Sequence, residues 1–260
     1  MNPKIHLIIV SWKQPNILIP CIDSILDSKT DLTAITCVLN EGCEKSAQHL
    51  TRNGINFIST NKNFGAQAVD FATRIFNAEY TFFSNDDMIF PPEWENEMLE
   101  EINSDQNCSV SMPLVEPAWY GHPLAIGDKL VENIDLEFDK IQNFFWKKWS
   151  EKAYSFPNLV TWNHPIMVKT KDWHTVGGYS DNFNMEFWPG HWTDDYFAFR
   201  LFRFYDGNFK FKHTKKACVY HAQSKGMIKN PHRVPESVFT KFTGLSANEF
   251  KKLAHQYEPA

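Results

Sequence analysis

The stretch Tyr80-Thr-Phe-Phe-Ser-Asn-Asp-Asp-Met-Ile-Phe-Pro91 decides the fold of this chain. Its apolar run, residues 80–83, predicts a buried strand that stops at Ser84. The prolines at 91 and 92 predict that a helix begins there. A buried strand followed directly by a helix is the repeating unit of α/β proteins, in which ligands bind at the carboxyl ends of the strands.

Asp86 and Asp87 follow this predicted strand directly. Two adjacent carboxylates raise each other's pKa because their charges repel. A divalent cation relieves that repulsion, and carboxylate oxygens are the hard ligands that Mg²⁺ or Mn²⁺ prefers. The pair therefore predicts a metal site. The alternative is a plain strand-to-helix turn in which Asp87 caps the helix.

Strands and helices alternate through the first half of the chain. Apolar runs predict strands at residues 5–10, 34–39 and 55–59, and the first reads as buried on both faces. Helical patterns at residues 17–26 and 46–52 separate them, and a third at 65–76 precedes the strand at 80–83. This alternation predicts an α/β fold: a Rossmann-like, mostly parallel sheet flanked by helices.

The second half is less regular. The predicted strands are 110–115, 159–168, 209–211 and 217–220, and the predicted helices are 92–102, 171–176 and 193–205. Ser246 and Glu249 have the spacing of a capping box, which predicts a last helix at residues 250–257.

The composition excludes some classes of protein. The 260-residue chain has a net charge of −5, so a surface that coats nucleic acid is not expected. Its five cysteines are scattered without a close metal-binding pair, as in a protein of a reducing compartment. No apolar run is long enough for a transmembrane segment. We expect a cytoplasmic protein, and the basic, aromatic segment 138–152 leaves open peripheral contact with the inner face of the membrane.

Five motifs occur in an order that is similar to family 2 glycosyltransferases. They are the strand exit Ile8-Ile-Val-Ser-Trp-Lys-Gln14, the turn Val38-Leu-Asn-Glu-Gly42, the loop Asn61-Lys-Asn-Phe-Gly65, the acidic motif Ser84-Asn-Asp-Asp87, and the segment from Val176-Gly-Gly-Tyr179 through Trp192-Thr-Asp-Asp195 to Arg200. A final strand ends in His221. Together they resemble an inverting, nucleotide-sugar-dependent glycosyltransferase with the GT-A fold.

The resemblance implies a donor site for a nucleotide-diphosphate sugar. It places nine residues at that donor: Ser11, Trp12, Asn40, Glu41, Asn63, Gly65, Asn85, Asp86 and Lys225. It also implies a Mn²⁺ or Mg²⁺ cofactor, with Asp86, Asp87 and His221 as metal-ligand candidates. Within this donor half, two positions depart from the family's pattern, because Ser84 stands where the first acidic residue is usual and Asn40 stands where an Asp is usual.

The resemblance also implies an acceptor site. Counting back from Arg200 places Asp194 at the general base, with Asp195 as the second candidate and Thr193 where the family has Glu. A base at this position takes the proton of the acceptor hydroxyl. The aromatic cluster at residues 187–192 is a candidate for contact with the acceptor, because sugar rings stack on Trp.

We therefore expect a single GT-A domain at residues 1–230. Residues 1–112 form its nucleotide-sugar-binding half and 113–230 its acceptor-binding half, and a C-terminal helical tail follows at 231–260. The expected function is metal-assisted transfer of a sugar to a hydroxyl of a glycan or lipid-linked acceptor, as in polysaccharide biosynthesis. The alternatives are a catalytically silent nucleotide- or sugar-binding module and a sugar nucleotidyltransferase. The latter would carry a glycine-rich loop after its first strand, which residues 11–15 lack.

Overall fold

The computed structural model describes residues 2–115, 162, 164–179, 192–221 and 235–255. Ten strands lie in these ranges: β1 (Ile5–Trp12), β2 (Thr33–Asn40), β3 (Asn56–Ser59), β4 (Tyr80–Asn85), β5 (Met88–Ile89), β6 (Cys108–Ser111), β7 (Leu114–Val115), β8 (Ile166–Lys169), β9 (Lys210–His213) and β10 (Val219–His221). The α-helices of the same ranges are α1 (Pro15–Ser28), α2 (Glu44–Arg52), α3 (Trp94–Asn103), α4 (Thr170–Thr175), α5 (Thr193–Phe204), α6 (Glu236–Thr243) and α7 (Ala247–His255). A 3₁₀ helix spans Gly65–Phe71.

Seven strands form the main sheet, in the order β3-β2-β1-β4-β8-β6-β9. Strand β8 runs antiparallel to both of its neighbours, whereas the other paired strands run parallel. The predicted α/β class with a mostly parallel sheet is confirmed.

The central strand β1 is buried on both faces, as its continuous apolar run predicts. Its residues Ile5, Leu7 and Ile9 lie in the core beneath α1 and α3, whereas Ile8 lies in the core on the opposite face. The second core contains the inward faces of α5, α6 and α7. Helices therefore cover both sides of the sheet.

A small second sheet adds a feature that the sequence did not predict. Strand β10 pairs antiparallel with β5 and parallel with β7. The chain thus leaves β4 through a two-residue turn and enters β5, and α3 begins only at Trp94. Likewise, the single strand predicted at residues 110–115 is two strands, β6 and β7, because the chain moves from one sheet to the other.

The Gly-Gly-Tyr turn after α4 is held by two partly buried charged groups, Asp70 and Arg200. The indole Nε1 of Trp173 donates to Asp70 Oδ1 at 2.7 Å, and the backbone N–H of Tyr179 donates to Asp70 Oδ2 at 2.8 Å. From the other side, the guanidinium of Arg200 donates to carbonyl oxygens of residues 176–178. The turn therefore connects the 3₁₀ helix to α5, the helix that carries the second acidic pair.

Replacing Gly178 by Ala should destabilise the protein more than the same change at another left-handed glycine. Gly178 has φ +61°, and a Cβ there would lie 2.1 Å from Asp70 Oδ1. Gly54 has a nearly equal φ of +65° but no atom within 4 Å of its Cβ position. In urea unfolding we expect a loss of about 1 kcal/mol for Gly54→Ala from backbone strain alone. For Gly178→Ala we expect about 3 kcal/mol from strain and overpacking together. Equal losses would contradict this account of the turn.

Candidate active site

The predicted donor residues lie at the carboxyl ends of neighbouring strands. Ser11 and Trp12 end β1, Asn40 ends β2, and Asn85 ends β4. Since β1 is parallel to both β2 and β4, these ends meet at one edge of the sheet. This is the edge at which open α/β sheets bind ligands.

Glu41 lies beside Trp12, which is the most exposed of the four residues at these strand ends. The indole Nε1 of Trp12, which is 42% exposed, donates to Glu41 Oε2 at 2.9 Å, and Lys13 Nζ lies 2.6 Å from the same oxygen. These two hydrogen bonds, that of Lys13 first, lower the pKa of Glu41. The Trp12 ring is thus held at the mouth of the edge by polar neighbours.

Asn40 is buried and holds the loop that precedes the 3₁₀ helix. Its side-chain oxygen accepts from the backbone N–H of Phe64 at 3.1 Å, and its amide donates to the carbonyl of Gly65 at 3.3 Å. Within the loop, Asn63 Oδ1 accepts from the N–H of Gly65 at 2.8 Å. Three of the predicted donor residues therefore form one connected unit, and Asn40 positions the other two.

Asp86 and Asp87 form the turn between β4 and β5, and both are at least nine-tenths buried. Burial first, and then the charge of Asp87, raise the pKa of Asp86 to about 7. The Ser11 hydroxyl and the charge of His221 act in the opposite direction but offset this increase only in part. The alternative in which Asp87 caps α3 is wrong, because Glu93 is the residue that precedes this helix.

His221 lies next to Asp87 because β10 pairs with β5. His221 is opposite Met88 in the register, and its Nε2 lies 3.3 Å from Asp87 Oδ2. All three predicted metal ligands are thus brought to one turn. Asp86 Oδ2 is buried without a hydrogen-bond partner among the described residues, so this oxygen is available to accept a cation. These donors fit a divalent cation, although no group of three His, Cys, Asp or Glu side chains in the described ranges is already close enough to hold one.

Asp194 and Asp195 lie in the first turn of α5. Burial first, and then the charge of Asp195, raise the pKa of Asp194 to about 7. Asp195 Oδ1 accepts a hydrogen bond from Trp162 Nε1 at 3.1 Å. The two carboxylates thus have different environments, and the protonation state of Asp194 changes near neutral pH.

A family model for glycosyl transferase family 2 matches residues 6–222, which is well over half of the chain. The chain belongs to this family. The match begins in β1 and ends just after His221, so it includes both acidic pairs of the candidate site. The predicted resemblance to family 2 glycosyltransferases is confirmed.

Among solved structures, the family 2 chain is similar to TarS of S. aureus. One TarS crystal structure superposes with a TM-score of 0.58 at 13% sequence identity, covering 96% of this chain and 42% of that chain. A structure of TarS residues 1–349 gives a TM-score of 0.51 at 12% identity, covering 85% and 58%. At these identities the likeness concerns the fold, and the chain spans about half the length of these neighbours. No curated protein matches it in sequence.

No helix in the described ranges combines the length and the apolar character needed to cross a membrane. The basic segment 138–152 lies outside the described residues, as do Lys225 and residues 187–191 of the aromatic cluster. Trp192, the described member of that cluster, packs against Phe239 at a centroid distance of 5.8 Å.

His164 and Tyr179 connect the two acidic pairs of this family 2 site, and sequence analysis did not single out His164. Tyr179 is fully buried, its hydroxyl lies 3.4 Å from His164 Nδ1, and the charge of Asp194 acts on it. Burial lowers the pKa of His164 to about 3, and the charges of His221 and Asp87 also act on this ring. The strand predicted at residues 159–168 includes His164, but β8 begins only at Ile166. A His-Pro pair ahead of an apolar run is the sequence signal that could have indicated this position.

Asparagine at position 194 should stabilise the metal-free protein at high pH. The native state keeps the Asp194 proton up to about pH 7, whereas an ordinary Asp releases it near 3.8. The free energy of unfolding of the wild type should therefore fall as the pH rises from 3.8 to about 7. The Asp194→Asn variant should not show this part of the decrease. We expect the variant to be about 2 kcal/mol more stable than wild type at pH 8 in EDTA, and similar near pH 4.

Urea unfolding between pH 4 and pH 8 measures this difference. Asp31→Asn, at an exposed carboxylate in a turn, is the matched control and should follow the wild-type curve. A difference between Asp194→Asn and wild type that does not change with pH would contradict the account of Asp194.

Proposed function

We propose that this chain transfers a sugar from a nucleoside-diphosphate sugar to a hydroxyl group of an acceptor, with inversion at the anomeric carbon. The observation that carries the proposal is the connection between the acidic pairs. Asp87 contacts His221, and the charges of both act on His164. His164 in turn lies 3.4 Å from the Tyr179 hydroxyl, on which the charge of Asp194 acts. The pair Asp86 and Asp87 is suited to the departing phosphates, and the pair Asp194 and Asp195 is suited to the attacking hydroxyl.

On the donor side, the nucleotide would bind at the sheet edge formed by β1, β2 and β4. Asp86, Asp87 and His221 would hold Mn²⁺ or Mg²⁺, because the buried carboxylates repel each other and Asp86 Oδ2 lacks a partner among the described residues. A divalent cation, when bound, supplies positive charge for the phosphates of the leaving diphosphate. Ser11 and the unit formed by Asn40, Asn63 and Gly65 would position the donor around it.

On the acceptor side, Asp194 is the general base. Its carboxylate takes the proton of the acceptor hydroxyl as that oxygen bonds to the anomeric carbon and the bond from this carbon to the diphosphate oxygen breaks. A base works best when its pKa lies near the working pH, and that of Asp194 is about 7. Asp195 is less suited to this step, because its Oδ1 already accepts the Trp162 hydrogen bond.

We further propose that residues 1–112 act as the donor half and 113–230 as the acceptor half of one domain. Every predicted donor residue except Lys225 lies before residue 112, and Asp194 lies after it. A glycan or a lipid-linked precursor is the acceptor class that we favour. The metal-ligand candidate His221 comes from the second half, so the halves would meet at the turn between β4 and β5.

A thermal-shift screen tests the donor assignment. UDP, GDP, CDP, dTDP and ADP are each added with and without Mn²⁺, since a ligand that binds the native state raises the melting temperature by mass action. We expect one nucleotide to give a shift that requires the metal. Absence of a shift with every nucleotide would instead favour a silent module with another ligand.

Two asparagine variants separate binding from transfer. Asp87→Asn should lose the metal-dependent shift, whereas Asp194→Asn should keep it and lower the turnover of the matching nucleotide sugar at least 100-fold, because the general base is gone. Both changes preserve side-chain size. Near-normal turnover in Asp194→Asn would contradict the assignment of the base, and loss of nucleotide binding in both variants would indicate general damage.

A further inference from the structure

The helical hairpin α6–α7 lies beyond the span that matches the family model, which ends at residue 222. It nevertheless packs into the core behind α5. Phe239 of α6 and Phe250 of α7 are both 0% exposed and belong to the same core as Phe197 and Leu201 of α5. The hairpin is therefore an integral part of the described fold.

The first hairpin contact is at the start of α5. Trp192 immediately precedes this helix with a left-handed φ of +63°, and its ring packs against Phe239 at 5.8 Å. The acidic pair follows two and three residues later. The contact fixes the direction in which the chain enters the turn that carries Asp194 and Asp195.

The second contact acts through Trp162. Its indole ring packs between Phe211 of β9 and Phe250 of α7, with centroids 4.9 Å away on both sides. The Nε1 of the same indole donates to Asp195 Oδ1. Phe250 therefore supports the ring that orients one carboxylate of the acidic pair.

The third contribution is a charge. Lys251, the next residue of α7, has its Nζ 6.0 Å from the centroid of the Trp162 ring, and its positive charge favours the ionised form of Asp194. Asp195 on α5 and Tyr179 on the turn after α4 also interact electrostatically with this carboxylate. Both of these groups become negative when they ionise, so Lys251 supplies the opposite charge.

We propose that the α6–α7 hairpin is a working part of the active site, in which Trp162, backed by Phe250, positions Asp195, and Lys251, placed over the Trp162 ring, contributes a positive charge to the acidic pair. Trp162 and Lys251 are positioning residues rather than catalytic ones. The inference rests on the proposed function in its assignment of Asp194 as the base, but the arrangement itself can be tested without any substrate.

The substrate-free test follows the indole N–H of Trp162 by NMR in the full chain labelled with ¹⁵N-tryptophan. Trp162→Phe keeps an aromatic ring, removes the donor, and identifies the Trp162 signal as the one of nine that disappears. In wild type this signal should shift with pH with a midpoint near neutrality. Lys251→Met, which keeps the length of the side chain but removes the charge, should move the midpoint upward by at least half a pH unit.

Lys252→Met is the matched control, because Lys252 is the exposed neighbour on the same helix and its charge acts on Glu249 instead. It should leave the midpoint where it is. A Trp162 signal that does not respond to pH, or equal midpoints in the Lys251 and Lys252 variants, would overturn the proposal even if the protein transfers sugar as expected.

Turnover of the nucleotide sugar identified by the screen gives the second readout. Trp162→Phe should lower kcat about tenfold with little change in the KM of the donor, since a misplaced base impairs the chemical step. Lys251→Met should move the rise of kcat with pH to higher pH. Unchanged kcat in Trp162→Phe and an unchanged pH profile in Lys251→Met would overturn the catalytic part of the inference.

Discussion

Adjacent carboxylates that are largely removed from water dominate the chemistry of this fold. Asp86 and Asp87 lie in the turn between the two sheets, and Asp194 and Asp195 lie in the first turn of α5. In each pair, burial and the neighbouring charge raise the pKa of one member to about 7. Such an arrangement is unfavourable for folding alone, so the surrounding elements must hold the pairs in place.

Each pair is supported by a different part of the molecule. The small sheet brings His221 to Asp87 through the pairing of β10 with β5. Around the second pair, Arg200 and Asp70 fix the Gly-Gly-Tyr turn, and the α6–α7 hairpin supports Trp162 and the start of α5. The positions that depart from the family's pattern fit this picture. Ser84 and Thr193 are fully buried, and neutral side chains there avoid a third charge in each cluster.

Much of this arrangement could be predicted from the sequence. Continuous apolar runs predicted β1, β2 and β4, and the capping box before α7 is confirmed, since Ser246 and Glu249 bond reciprocally at their side chains and backbone N–H groups. The helix predicted at residues 65–76 was wrong in kind and length. A 3₁₀ helix ends at Phe71, which is 47% exposed, and Ile75 is 43% exposed, so the apolar residues there do not share one buried face.

The connections between distant segments could not be predicted. A strand of two residues such as β5 has too few positions to show a period, and its existence depends on β10, over a hundred residues later. The same holds for His164 and Trp162, whose positions follow from tertiary packing rather than from a local motif. Asn40 was predicted to lie at the donor, and its side-chain amide donates to the carbonyl of Gly65 and so holds the loop. Its contact with a nucleotide stays a prediction.

The most direct test of the account is a crystal structure of the full chain with Mn²⁺ and the nucleoside diphosphate that stabilises it, recorded so that manganese gives an anomalous signal. We expect one strong peak in contact with the phosphates, with the carboxylate of Asp86 or Asp87 and with the imidazole of His221. A nucleotide bound at the sheet edge with no metal peak at this turn, or with the metal held by other residues, would contradict it.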